Sequence, residues 1–124
     1  AGHYDHKIWK VVPSTGAASV FAGSGRGSTN GTGTEAKFDY PLNLTTDGTN
    51  LFVVCGPHGD DTIRKIVISS AVVTTFAGLA GTAGTTDGTG SEARFNEPYG
   101  ITNDGENLYT IGRHGNGIRK THYR

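Results

Sequence analysis

The chain has 124 residues, enough for one domain, and its formal net charge of zero excludes nucleic acid as a dedicated partner, because such proteins need a basic face. Cys55 is the single cysteine, which excludes an internal disulfide and paired-cysteine metal or haem motifs. No apolar run approaches the roughly 20 residues of a membrane span, and the twenty glycines lie between apolar runs, as in the loops of a β protein.

Two short β-type runs joined by a turn open the chain, and we name them strands C and D. Both recur 55 residues later, with Ser69-Ser70 as the second turn. The predicted strands and their copies occupy residues 7–12, 18–22, 62–68 and 72–77, and a third copy of strand C opens at Ile118.

A glycine-rich segment follows strand D in both copies. Asn30–Pro41 (NGTGTEAKFDYP) recurs as Asp87–Pro98 (DGTGSEARFNEP), 57 residues later. The change of offset from 55 to 57 assigns two extra residues to the second glycine-rich loop, where insertions are tolerated. We expect Phe38 and Phe95 to fix this D–A loop onto the strands, and Asn30 and Asp87 to organise it through side-chain to backbone hydrogen bonds.

Each glycine-rich segment leads into two further β-type runs, strands A and B, separated by Asp47-Gly48 or Asp104-Gly105. Asp-Gly between such runs predicts a hairpin with positive φ at both central positions. The predicted strands A and B occupy residues 42–45, 51–54, 99–102 and 108–111. The B–C turns that follow, GPHGDD and RHGNG, are polar and glycine-rich.

One unit is therefore an antiparallel A-B-C-D meander of about 55 residues, and a repeated four-stranded meander is the signature of a β-propeller blade. The sequence predicts an all-β fold of about two blades, part of a six-bladed or similar propeller. Residues 1–23 supply strands C and D of a first blade, residues 24–78 a complete second blade, and residues 79–124 strands A to C of a third.

The repeats resemble the NHL-repeat β-propellers of bacterial type. The resemblance rests on the motifs TxAG, DGxGxxAxFxxPxGI, DGxxLY and IRKI, which correspond to residues 73–78, 87–101, 104–109 and 63–66. It implies a scaffold, usually six-bladed, that binds proteins, nucleic acids or sugars. One branch, the peptide-amidating lyases, is enzymatic and holds zinc with histidines. The chain departs from the family at Val54-Cys55-Gly56, where an Ala-Asp pair is usual.

Two blades are too few for a closed propeller, which needs four to eight. Either three chains form a six-bladed ring, or these residues are part of a longer propeller. The second expectation is favoured, because residues 117–120 repeat residues 7–10 as a redundant strand C and the sequence contains no methionine.

The alternation of strands predicts that the D–A loops and B–C turns share one face, where propellers usually bind ligands. We expect a protein or glycan partner there. The candidate binding residues are His58, Asp60, Arg113, His114, Asn30 and Asp87.

Zinc is the cofactor that could be argued, because His3, His58 and His114 fall in the same B–C turn of successive blades. These turns lie outside the innermost strand, so their histidines should be too far apart for one ion. We therefore predict no metal, no other cofactor and no enzymatic activity. His6 and His122 follow no repeat and are interpreted as surface residues.

The remaining features have structural explanations. Arg64-Lys65 and Arg119-Lys120 are interpreted as solvated or paired strand charges, and Cys55 as a small buried residue. Asn30-Gly31-Thr32 matches the glycosylation pattern and could be modified in a secreted protein.

The predicted function is a non-catalytic NHL-type scaffold for protein–protein or surface-glycan interaction, placed extracellularly or at the cell surface, with the periplasm as a further location. Self-association, or contact with the remaining blades of a longer chain, would cover the open blade faces. Two alternatives stay open: a structural subunit of a filament or envelope assembly, and a zinc-dependent enzyme similar to the peptide-amidating lyases.

Overall fold

The computed structural model describes residues 2, 4–56, 59–84, 86–112 and 117–122, and the fold is all-β. The strands of this described part are β1 (Ile8–Val11), β2 (Ala18–Ala22), β3 (Gly31–Thr32), β4 (Pro41–Thr46), β5 (Asn50–Cys55), β6 (Thr62–Val67), β7 (Val72–Ala77), β8 (Pro98–Asn103), β9 (Asn107–Gly112) and β10 (Ile118–His122). Two 3-10 turns occupy Gly33–Glu35 and Gly90–Glu92.

The strands form three antiparallel sheets, none of which closes on itself within the described residues. The first sheet pairs β1 with β2, the second has the order β3-β7-β6-β5-β4, and the third has the order β10-β9-β8. Strands C and D of the sequence analysis are β1 and β2, and then β6 and β7. Each predicted strand with two stated ends agrees with an observed one to within one residue per end. The sequence missed β3, whose two residues pair with Val72 and Val73.

The predicted hairpins form, but their turns are not of the predicted kind. In the first, only Gly48 has positive φ (+91°), while Asp47 keeps negative φ. The Asp47 carboxylate instead accepts the backbone N–H groups of Thr49 and Asn50, at 2.9 and 2.8 Å. The prediction of positive φ at both positions was therefore wrong, because the aspartate side chain closes the turn.

The second hairpin turn uses Asp104 in the same way. Its carboxylate accepts the backbone N–H groups of Asn107 and Glu106 and the hydroxyl of Tyr109. These donors, first of all Asn107, lower the pKa of Asp104 to about 2. The carboxylate therefore stays ionised, and able to accept, over nearly the whole pH range.

The core lies between the sheets. Successive side chains of a strand point to opposite faces, yet four consecutive residues of β5, from Phe52 to Cys55, are all buried. The second sheet is therefore covered on both faces. The cluster towards the first sheet contains Ile8, Ala22, Ala36, Phe38, Val53, Cys55, Ile66 and Val73. The cluster towards the third sheet contains Phe52, Val54, Ile63, Ala77, Ala93, Phe95 and Leu108.

The outer face of the third sheet is open. Ile111 and Ile118 are 47% and 77% exposed, whereas their repeat equivalents Val54 and Ile63 are fully buried against the next sheet. The apolar residues that would contact a further sheet are thus present, and in the described structure they face solvent.

Candidate functional site

The first D–A loop folds across the edge of the second sheet. The Gly23 N–H donates to the Gly33 carbonyl, and the Gly33 N–H donates to the Ala71 carbonyl. Phe38 is fully buried in the core, as predicted, and Phe95 holds the second loop in the same way. The loops are therefore attached to the sheets at several points rather than suspended above them.

Arg64 is the central support of the first loop. Its guanidinium donates to the carbonyl oxygens of Lys37 and Thr29, at 2.7 and 3.2 Å, and to Oδ1 of Asn30, at 2.9 Å. It also lies 5.1 Å from the centroid of the Phe38 ring. Burial lowers the pKa of Arg64, but a guanidinium remains charged.

Arg119 repeats this arrangement in the second loop. It donates to the carbonyl oxygens of Arg94 and Thr86, at 3.1 and 3.2 Å, and forms a 2.8 Å ion pair with Asp87. We call each arrangement, of Arg64 or Arg119 with its loop acceptors, an arginine clamp. The forked guanidinium suits this role because it can donate to several acceptors in one plane.

The clamps correct two predictions. Arg64 was expected to be solvated or paired on its strand, yet the whole residue is buried and bonded to a loop. Asn30 and Asp87 do organise their loops, but by accepting from arginine side chains rather than from the backbone. The repeat itself held the signal, since an arginine on strand C always accompanies an Asn or Asp at the start of the loop.

Asp60 is buried rather than displayed on the loop face. Its Oδ1 accepts the Thr62 hydroxyl at 2.7 Å, and its Oδ2 has no hydrogen-bond partner among the described residues. Only 5% of the residue is exposed, and burial raises the pKa of its carboxyl group. The prediction of Asp60 as an exposed binding residue was wrong. His58, Arg113 and His114 lie outside the described residues, as does His3.

A side-chain acceptor connects each B–C turn to the next D–A loop. Oδ1 of Asp61 accepts the Glu97 N–H at 2.7 Å, and Nδ1 of His6 accepts the Tyr40 N–H at 3.0 Å. All four residues have positive φ, between +50° and +61°. His6 is thus the repeat equivalent of Asp61 and is half-buried, so its interpretation as a surface residue was wrong. His122 is exposed, as predicted.

These contacts place the D–A loops and the B–C turns at the same end of the sheets, as the strand alternation predicted. The Gly81 N–H, in the second loop, also donates to the Asp60 carbonyl in the turn. Cα positions are equally tight: a Cβ on Gly59 would lie 2.2 Å from the Asp39 carbonyl oxygen. This end of the molecule, the loop face, is built from closely packed backbone.

Between the first and second sheets the loop face carries an aromatic and ionic group. Nε of Arg26 donates to Oδ1 of Asp39 at 2.8 Å, and its guanidinium lies 5.1 Å from the centroid of the Tyr40 ring. The rings of His6 and Tyr4 meet that of Tyr40 nearly at right angles, with centroids 4.5 and 6.4 Å away. We call these five residues the junction cluster.

The described residues include no group of three His, Cys, Asp or Glu side chains that could hold a metal ion. Burial raises the pKa of the Cys55 thiol to about 12, which removes it as a nucleophile at physiological pH. Within the described part of the chain, neither helical turn has the length or apolarity to cross a membrane.

No family model matches the chain, and no curated protein does. Its fold is similar to that of a Bacteroides thetaiotaomicron protein of unknown function, with a TM-score of 0.86 and 34% identity over 95% of this chain and 30% of that one. It is also similar to an auxiliary nutrient binding protein of the same species, with a TM-score of 0.78 and 25% identity over 95% and 32% of the two chains. A protein with the same description from Bacteroides ovatus shares the fold at 22% identity and a TM-score of 0.77, over 95% and 32%. The chain therefore spans about a third of the length of these structures, and its β-sheet fold is one that larger Bacteroides proteins contain.

Proposed function

We propose that the chain is part of an NHL-type β-propeller that acts as a non-catalytic binding scaffold, taking a protein or surface-glycan ligand on its loop face. The observation that carries this proposal is the arginine clamp, present on both D–A loops. Loops that are held rigidly on a scaffold supply binding surfaces at low entropic cost, because little freedom is lost when a ligand binds.

The propeller architecture is supported by the stacking of the three sheets and by an unfilled position in the third. In the second sheet, β7 lies between β3 and β6. At the equivalent place in the third sheet a groove of about 590 Å³ separates residues 88–90 from residues 120–122. One further strand in that groove would complete a four-stranded blade.

The inner strands also approach each other as propeller blades do around an axis. The Asn103 side-chain amide donates to the Thr45 hydroxyl and to the Thr46 carbonyl, both at 2.9 Å. These bonds join β8 of the third sheet to β4 of the second. Neighbouring strands of the A type are thus held side by side, the arrangement that lines a propeller channel.

A binding role outside the cytoplasm is supported by the similarity to structures described as auxiliary nutrient binding proteins. The exposed loop residues are mostly small and polar, including Ser28, Thr29 and Thr34. The buried, high-pKa Cys55 supports a non-catalytic role, since it cannot act as a nucleophile.

The test is ligand binding with variants on the two ends of the sheets. Purified chain is titrated against soluble polysaccharides and captured secreted proteins, with Thr34→Arg on the loop face and Ser69→Arg on the opposite end as the matched control. Both positions are exposed. We expect Thr34→Arg to weaken binding by about tenfold or more, and Ser69→Arg to leave it unchanged. Equal effects of the two variants, or no ligand at all, would overturn the proposal.

A structural subunit remains a second candidate, because the exposed Ile111 and Ile118 form an apolar face that assembly would cover. Native mass by light scattering separates the two. A mass of three chains supports a self-closed six-bladed ring with a repeated binding face. A polymer that lengthens with concentration supports the assembly role instead.

A further inference from the structure

The junction between the first and second sheets carries side chains that its repeat equivalent lacks. Both junctions use the same backbone contact, with His6 accepting from Tyr40 in one and Asp61 from Glu97 in the other. This contact requires an acceptor side chain on the turn and a backbone N–H on the loop. It requires neither aromatic rings nor an ion pair.

The two junctions can be aligned residue by residue. Gly27 and Gly84 make the same backbone bond, to the carbonyl oxygens of Phe38 and Phe95 at 3.0 Å. This fixes Arg26 as the equivalent of Ala83. The full junction cluster of Tyr4, His6, Arg26, Asp39 and Tyr40 thereby corresponds to Gly59, Asp61, Ala83, Asn96 and Glu97. The first junction has gained three rings and an ion pair beyond what the fold needs.

Arg26 is held in one orientation while much of it stays accessible. Its Nε is bonded to Asp39 and its guanidinium lies over Tyr40, yet 61% of the side chain is exposed. Its two Nη groups have no hydrogen-bond partner among the described residues. A guanidinium fixed in this way presents two parallel N–H donors to a ligand without losing rotamer entropy on binding.

Tyr4 supplies an accessible ring beside this donor pair. The residue is 84% exposed, and its ring meets Tyr40 edge to face at 6.4 Å. Large exposed aromatic rings supply rigid contact area at low conformational cost. An open ring next to fixed N–H donors suits a ligand with one apolar face and polar groups on its rim.

We propose that the junction cluster binds a neutral hexopyranose unit of a glycan, with Tyr4 stacking on the C–H face of the sugar and Arg26 donating to adjacent hydroxyl oxygens. Asp39 already balances the charge of Arg26, so the cluster favours an uncharged ring over a uronate. A nucleobase would also stack, but the chain has zero net charge and lacks the basic surface that nucleic acid needs. This inference rests on the proposed function and assigns it a ligand class and a location.

The experiment is calorimetric titration of the chain with neutral hexasaccharides of glucose, xylose and mannose, and with a hexauronate. The variants are Tyr4→Ala, Tyr4→Phe and Arg26→Ala, with Ser69→Ala as the control and circular dichroism as the check on folding. We expect wild type to bind a neutral hexasaccharide, and Tyr4→Ala and Arg26→Ala to weaken it by about tenfold each. Tyr4→Phe keeps the ring and should stay within about threefold of wild type.

The outcomes separate this inference from the proposed function. If wild type binds a neutral glycan and the Tyr4 and Arg26 variants bind it equally well, the scaffold function stands and the junction site is overturned. Preference for the hexauronate also overturns it, because the site would then be cationic. If no oligosaccharide binds while Thr34→Arg still abolishes capture of a protein ligand, the inference fails and the proposed function survives.

Discussion

Replacement of Arg64 by glutamine tests whether the arginine clamp stabilises the fold. The substitution removes three hydrogen bonds, to the carbonyl oxygens of Thr29 and Lys37 and to Asn30. A hydrogen bond to a charged group contributes about 1.5–3 kcal/mol, but the exposed residues of this loop can turn to water once the clamp is gone. We therefore expect Arg64→Gln to lower the free energy of unfolding by about 3–5 kcal/mol.

Arg119→Gln is the internal control, because Arg119 makes the same three bonds at 3.1, 3.2 and 2.8 Å. Its side chain is 25% exposed and its partner Asp87 is 93% exposed, whereas Arg64 is fully buried. Water screens the second clamp, so we expect a cost of about 1–2 kcal/mol. Arg64→Lys, which keeps the charge but loses the fork, should retain little of the clamp.

Urea unfolding measures these differences, followed both by fluorescence of the single tryptophan, Trp9, and by far-ultraviolet circular dichroism. Both probes are needed because the sheets of a repeat protein can unfold separately, and Trp9 lies in the first sheet. Equal costs for Arg64→Gln and Arg119→Gln would refute the argument that burial sets the strength of the clamp. A wild-type-like Arg64→Lys would show that charge alone supports the loop.

Three further predictions concern buried groups. Cys55, with its pKa raised to about 12, should resist a thiol reagent in the folded chain and react in urea; equal reactivity in both would contradict its burial. Burial raises the pKa of Asp60, so its contribution to stability is complete in acid and is lost as pH rises. Asp60→Asn should therefore be more stable than wild type at neutral pH, with an advantage that shrinks on acidification; urea midpoints at both pH values would expose a reversed trend. Gly56→Ala would bring a Cβ to 2.0 Å from the Pro98 carbonyl oxygen, and should lower the urea midpoint by an equivalent of about 2 kcal/mol or more, whereas an unchanged midpoint would disprove this close approach.

Much of the fold could be predicted because it depends on local pattern and on repetition. Alternation of apolar residues set the strands, and Asp-Gly set the hairpins, to within one residue at each end. The offset change from 55 to 57 was also sound: Gly23 and Gly78 keep the first offset and Gly27 and Gly84 the second, so the extra residues lie between them, at the turn around Leu79–Thr82.

The candidate site was less accessible to this reasoning, since burial of a polar residue depends on what packs above it. Asp60 and Arg64 have the composition of surface residues, and in a single repeat they would be exposed. The D–A loop covers them, and that loop comes from a part of the chain about 30 residues away. Sequence spacing could not show that the loop folds back over strand C.

By itself, then, the sequence determined the all-β fold, the strand boundaries and the repeat, because these follow from side-chain alternation and turn chemistry within about 10 residues. Only the tertiary structure decided which polar groups are buried, since each clamp and each inter-sheet bond joins residues far apart in the chain. The same holds for the junction cluster, which draws Tyr4 and His6 from one sheet and Arg26, Asp39 and Tyr40 from the loop that leads to the next. Their meeting is a consequence of sheet stacking, and no local pattern encodes it.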